Sequence, residues 1–232
     1  MSWTLSDLEK TLLIGSTLVE GSTLTEKEAR AVLAGRTISG HPIGEIRELL
    51  NYRGAVAWLM EEVARSPWLS VDLILVFHQR LFHGFPVKSG CWKVQPNHTL
   101  LTDGTRHDFL KPALVPKAML EWTDRFNESD MQERKWSRSE RVTKAVALYY
   151  AFQEIHPFED GNGRIGRILI AYWLHWRGGL SFRFELKDKI PHLRALELAN
   201  RGDLASLEAF FRQRLTPEKT KPETNSQRGK AK

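Results

Sequence analysis

A single cysteine, Cys91, stands in 232 residues, which excludes an intramolecular disulfide framework and a thiolate zinc cluster. No run approaches the roughly 18 consecutive apolar residues that a membrane-spanning helix requires. The first residues, Met1 to Glu9, include Asp7 and Glu9 and lack the basic-then-apolar order of a secretory leader. The expectation is a cytoplasmic protein with no membrane partner. Internal repeats are absent, and so is a strong charge of one sign. The net charge is +6, and half of it lies in the tail from Thr216 to Lys232, where Lys219, Lys221, Arg228, Lys230 and Lys232 outnumber Glu218 and Glu223. The weak positive bias left to the body suits a phosphate-bearing ligand and falls short of a nucleic-acid footprint. The tail holds Pro217 and Pro222 and nothing apolar larger than Ala231, so it is expected to be disordered.

Aromatic residues are plentiful: 11 Phe and 8 Trp, within a hydrophobic share of 41%, supply enough surface for one sizeable core. Apolar spacing and end signals predict a mostly helical body. A first helix runs from about Leu5 to Glu20 and stops at Gly21. Thr25 with Glu28 has the spacing of a capping box and starts a short helix ending near Gly35. Further helices are expected over Pro42 to Ala64, Ser70 to Phe82, Pro112 to Phe126, Ser139 to Ile155 and Asn162 to Trp176. A last pair covers Pro191 to Ala199 and Asp203 to Arg214. Asp103-Gly104 signals a two-residue hairpin turn between strands near His98–Thr102 and Thr105–Phe109. The fold class is therefore all-α, mainly helical, with one small β-hairpin.

The chemistry concentrates in His156-Pro157-Phe158-Glu159-Asp160-Gly161-Asn162-Gly163-Arg164-Ile165-Gly166-Arg167. Gly161, Asn162 and Gly163 permit an unusual turn ahead of a helix, whose free amides and dipole form an anion site. Arg164 and Arg167 are three apart and share a side of that helix. The stripe of Ile165, Ile168, Leu169, Tyr172 and Trp176 lies away from them, so both guanidiniums are expected to face a cleft. Two fork-shaped donors above a nest of amides suit a polyphosphate. Asp160 sits where a carboxylate can hold Mg²⁺ against phosphate oxygens. His156 can remove a hydroxyl proton. Singly, each is ordinary: a structural histidine, a Gly-Asn-Gly turn, a solvated pair of arginines. Together they point to phosphoryl or nucleotidyl transfer.

This run resembles the His-x-Phe-x-(Asp/Glu)-Gly-Asn-Gly-Arg-x-x-Arg signature of the Fic family at every specified position. Glu48-x-x-Asn51, Leu75-x-x-His78 and Ala199-x-x-Gly202-Asp203 with Phe210 resemble secondary landmarks of the same family. The resemblance implies a helical Fic fold with the hairpin as a flap beside the active site. It also implies AMP transfer from Mg-ATP to a Ser, Thr or Tyr hydroxyl of a target protein. His156 would deprotonate that hydroxyl and Asp160 would hold Mg²⁺. Gly161, Asn162 and Gly163 would bind the α- and β-phosphates, Arg164 the β-phosphate and Arg167 the γ-phosphate. Phe158 would anchor the loop. The family often has Arg in a Gly-x-aromatic-Arg element before the flap; this chain has Gly90-Cys91-Trp92-Lys93, which keeps the charge and loses the fork.

Ser16 and Glu20 share a face of the first helix, and a glutamate in a last helical turn is disfavoured by roughly 0.3–1 kcal/mol, which an arginine could offset. Ser16 to Gly21 resembles the (Ser/Thr)-x-x-x-Glu-(Gly/Asn) inhibitory motif of Fic proteins with an N-terminal inhibitory helix. There the glutamate pairs with the second signature arginine, here Arg167. The implied organisation is an inhibitory helix over 1–21, a Fic core over 22–215 and a basic tail over 216–232. The target protein would bind along the flap, near residues 98–109, by strand addition. The sequence leaves open removal of AMP, a nucleotide donor other than ATP, a homodimer, and a non-catalytic regulator that binds nucleotide or nucleic acid. His98, His107 and Asp108 do not make a clear set of metal ligands and are expected to be ordinary polar side chains facing solvent.

Overall fold

The computed structural model describes residues 7–66, 68–132, 136–177 and 179–217. Among them the chain forms helices α1 (Asp7–Val19), α2 (Glu26–Leu33), α3 (Ile43–Arg65) and α4 (Val71–Leu81), then the hairpin β1 (His98–Leu100) and β2 (Arg106–Asp108). There follow α5 (Val115–Gln132), α6 (Arg138–Ile155), α7 (Asn162–Ala171), β3 (Leu180–Phe182), α8 (Lys189–Asn200), α9 (Leu204–Arg212) and β4 (Leu215–Pro217). The chain is mainly helical, and its end signals are those of the sequence. Thr25 and Glu28 close a full capping box on α2, Ser70 caps α4, and Asp203 caps α9. Gly21 takes a φ of +107° just beyond α1. No helix among the described residues is long and apolar enough to cross a membrane.

The core is one continuous apolar cluster to which every helix contributes. Phe152 and Val146 of α6, Ile165 of α7 and Trp173 beyond it are at most 1% exposed. Helix α1 belongs to this cluster through Leu12, Leu13, Ile14 and Leu18. Its contact with the segment before α8 is so close that a Cβ at Gly15 would overlap the Phe184 carbonyl oxygen. The N-terminal segment and the core thus share one interior.

Several elements differ from expectation. A second antiparallel sheet pairs β3 with β4, matching Leu180 to Pro217 and Phe182 to Leu215. It takes in Thr216 and Pro217, which composition places in the tail; residues 218–232 lie outside the described ones. The helix expected to Trp176 keeps α geometry only to Ala171 and passes into a π-helical turn over Tyr172–Arg177. Helix α5 runs six residues past Phe126. The hairpin tip is a three-residue loop rather than a two-residue turn. Gly104 donates to the Leu101 carbonyl and Leu101 to the Thr105 carbonyl, both at 2.9 Å, with Gly104 at φ +81°. That is a type I turn closed by a glycine bulge.

Candidate active site

Helix α6 ends at His156, the only non-glycine residue with positive φ among those described (φ 45°, ψ 60°). Pro157 disfavours right-handed helix at the residue before it, which ends α6 there. The chain then turns inward. Phe158 is wholly buried and stacks on the His78 ring at 3.9 Å and 4°. His78 Nδ1 accepts from Gly90 N–H at 2.8 Å, and Nε2 lies 3.2 Å from the Asp160 carbonyl. A carbonyl only accepts, so Nε2 carries the proton and the ring is neutral. Burial pushes its pKa down to about 4.

Asn162 staples the same loop: its Oδ1 accepts from Phe158 N–H and its Nδ2 donates to the Phe158 carbonyl, both at 2.9 Å. Its side chain is therefore spent on the loop, and what it can offer an anion is its backbone amide. Gly161 takes φ +85°, where a side chain would also strike Phe82. The first backbone bond of α7 runs from Ile165 to Gly161, so the amides of Asn162, Gly163 and Arg164 precede the helical ladder.

Of these, Asn162 and Gly163, with Gly161 before them, border a cavity of about 610 Å³. Tyr149, Gln153 and His156 reach it from successive turns of α6. Lys189, His192, Leu193, Leu196 and Asn200 reach it from one face of α8, and residues 98–102 cover it from the hairpin. The hairpin tip is tied across to α8: Thr102 Oγ1 donates to Glu197 at 2.7 Å, and Arg201 pairs with Asp103 at 2.6 Å. His156 stacks on Phe109 at 3.8 Å, and its Nδ1 is 3.2 Å from the Gln153 carbonyl. Nδ1 must be the donor there, which leaves the Nε2 lone pair for the cavity. Burial holds the imidazole at a pKa of about 4, so the ring is neutral at pH 7.

Both arginines are buried rather than facing an open cleft, at 3% and 2% exposure for Arg164 and Arg167. The reason is long-range: α1 and α3 cover the side of α7 that local periodicity leaves polar. Arg167 lines the cavity and is held by α1. Its Nε donates to Ser16 Oγ at 2.6 Å, and its Nη2 donates to the Ser16 carbonyl at 3.3 Å and pairs with the Glu20 carboxylate. Burial raises the Glu20 pKa, but the Arg167 charge and hydrogen bond more than offset it, so the carboxyl lies below its ordinary range. A Cβ on Gly163 would come within 2.6 Å of Glu20 Oε1, so only glycine lets the pair sit against the anion site. Arg164 does not line the cavity. It pairs with Glu48 of α3 and, at 3.2 Å, with Asp160. Tyr52 ties the arrangement together, donating to the Arg164 carbonyl at 2.9 Å with its oxygen 3.3 Å from Ser16 Oγ.

Asp160 stands at the cavity lip with its side chain 56% exposed. No group of three or more His, Cys, Asp or Glu side chains gathers among the described residues, so a protein-only cation cage is not what the site offers. One exposed carboxylate beside an anion site does suit Mg²⁺, which takes one or two carboxylates and completes its shell with phosphate oxygens and water.

Comparison with known proteins matches residues 68–174 to the Fic/DOC family. These residues form a Fic/DOC family domain. The protein adenylyltransferase Fic of Drosophila ananassae is 25% identical over 195 residues, covering 83% of this chain and 37% of that protein. The chain thus spans little more than a third of the length of such relatives. A Fic-domain signalling protein of Bacteroides thetaiotaomicron superposes with a TM-score of 0.77 at 23% identity, covering 88% of this chain and 80% of that one. The N-terminal Fic domain of a Bartonella quintana effector, solved with bound ADP, gives 0.54 at 19% identity, covering 74% and 86%.

Within the Fic domain and its flanks, the structure gathers His156, Asp160, Gly161, Asn162, Gly163, Arg167 and Glu20 on one cavity and sets Arg164 behind it. Ser16 reaches the cavity only through Arg167. Sequence reasoning passed over Tyr149, whose hydroxyl is 2.8 Å from His192 Nε2. It also passed over the facing row on α8. The signal was present: Tyr149, Gln153 and His156 are spaced four and three apart, one face of α6. Glu48 and His78 were legible only as landmarks, without their partners. His107 and Asp108, weighed as metal ligands, pair instead with Glu154 at 2.9 Å and Arg106 at 2.6 Å.

Proposed function

We propose that this chain transfers AMP from Mg-ATP to a hydroxyl of a target protein and that the Glu20–Arg167 pair holds the reaction back. The observation that carries the reading is convergence: the free imidazole nitrogen of His156, the α7 amides and Arg167 border one cavity, and Glu20 occupies the guanidinium that a γ-phosphate would use. The target oxygen attacks the α-phosphorus while His156 Nε2 takes its proton. The α–β bridging bond breaks, and pyrophosphate leaves with the electron pair. The α7 amides hold the phosphates in line. Mg²⁺ held by Asp160 would neutralise charge growing on the phosphate oxygens. Strand β1 borders the cavity and has one edge unpaired within its two-stranded sheet, which suits an extended target segment.

With Glu20 on Arg167, ATP lacks the contact that orders its γ-phosphate. The relatives named adenylyltransferases support the activity. The same cavity gives a second reading, since Glu20 borders it with His156 and could place a water for removal of AMP. Purified Glu20→Gly protein given Mg²⁺ and ATP labelled at the α-phosphate should gain covalent label that γ-labelled ATP does not transfer. His156→Ala should abolish it. Nucleotide binding without any transfer of α-label to protein would overturn the proposal, and release of AMP from pre-modified protein would favour the second reading.

A further inference from the structure

Lys93 is a buried ammonium with no carboxylate partner among the described residues. It is 2% exposed and makes no ion pair among the described residues. Its Nζ donates to Asn97 Oδ1 at 2.6 Å and to the Ile155 carbonyl at 3.2 Å. Its own backbone N–H donates to the Pro157 carbonyl at 2.8 Å, and Asn97 Nδ2 donates to the Phe158 carbonyl at 3.1 Å. Three carbonyls around His156, those of residues 155, 157 and 158, all accept from this one pair. The intervening residue is the one held at φ 45°, a conformation that costs a side-chain-bearing residue on the order of 1 kcal/mol and persists only where its surroundings impose it.

We propose that Lys93, with Asn97 as its relay, is the positioning residue for His156, gripping the 155–158 peptide so that the imidazole lies flat on Phe109 with Nε2 aimed into the cavity. An ammonium suits this task because it carries three donors on a flexible stem and can serve carbonyls that diverge. Its charge has a second effect. The groups that face His156 are Lys93 before the flap, Glu20 beyond α1, Asp160 of the loop and the Gln153 carbonyl of α6, with Phe109 as an apolar plate. Of these, Lys93 is the cation that works with burial against a second positive charge on the ring.

The assignment of a catalytic task to His156 rests on the proposed function; the grip itself does not, and the test separates them. His156 is followed by NMR in protein carrying labelled histidine, its resonance identified by loss in His156→Ala. In Lys93→Met the imidazole should titrate at higher pH than in the parent, while Lys93→Arg should keep the parental midpoint. In a Glu20→Gly background, Lys93→Met should lower kcat by about 10- to 100-fold with KM for ATP little changed, and Lys93→Arg should recover part of it. A parental His156 midpoint in folded Lys93→Met protein overturns the proposal. If Lys93→Met does not fold, the unmodified protein decides. Burial lowers the Lys93 pKa to about 8, so the His156 resonance should step there in the parent and not in Lys93→Arg; a flat resonance in the parent overturns the grip. Absence of AMP transfer in every variant, with the His156 shift intact, would instead sink the proposed function alone.

Discussion

Replacing Glu20 by glycine tests the restraint quantitatively. The Arg167 side chain is 2% exposed and that of Glu20 is 34% exposed, so the pair is neither a surface contact nor fully buried. Surface pairs contribute about 0–1 kcal/mol, and removing one partner of a buried pair costs about 3–5 kcal/mol. An intermediate loss of about 2 kcal/mol follows. At ~2–4 °C per kcal/mol for a chain of this size, the melting temperature should fall by about 4–8 °C. The same 2 kcal/mol measures how strongly the carboxylate competes with a γ-phosphate for the guanidinium, so AMP transfer should rise on the order of 30-fold. Paired measurements of melting by calorimetry and label incorporation from α-labelled ATP read both numbers on one preparation. The signature is opposite signs: a less stable protein that is more active. Equal incorporation with and without Glu20, at a lowered melting temperature, would refute the reasoning and leave the pair a purely structural bond.

Other outcomes follow from the same geometry. With His156 held near a pKa of about 4 by burial, the imidazole is an unprotonated base above that pH. The kcat/KM of the Glu20→Gly protein should therefore stay level as pH falls through 6.5 and decline only towards 4; a limb centred near 6.5 would contradict this. Gly15→Ala places a methyl on the Phe184 carbonyl and should destabilise by about 1–3 kcal/mol in urea unfolding. By loosening α1 it should also raise AMP transfer, and lowered activity would argue against docking as the restraint. Asp103→Asn breaks the bridge to Arg201 across the cavity mouth. Because both side chains are exposed, stability should change by less than about 1 kcal/mol, while a fluorescent ATP analogue should dissociate several-fold faster in stopped flow.

How far the sequence reached depended on the range of the forces involved. Caps and helix ends were legible because a Thr25–Glu28 box or a Ser70 hydroxyl acts within one turn. The location of the hairpin was legible from Asp103-Gly104, yet its length was not. A glycine at positive φ serves a two-residue turn and a bulged three-residue loop alike. The β3–β4 sheet escaped because each strand has three residues and Leu180–Phe182 is buried on both faces, which removes the alternation that marks a strand. The signature run was enough to expect His156 and residues 161–163 beside one cavity, since the turn that joins them is local. The burial of Arg164 and Arg167 was not legible. Their covers, Glu48 and Glu20, lie 116 and 147 residues away in sequence, and a helical wheel sees only its own helix.

The apolar residues of α1 are continuous with those of every other helix. If α1 carries the proposed restraint, that restraint cannot be diluted off, competed away by a free peptide or lost by proteolysis of a tether while the rest stands. Each newly made molecule would acquire its control as it acquires its interior. Switching would have to occur through the few ångströms travelled by a carboxylate at a helix end, with the hydrophobic contacts beneath it left in place.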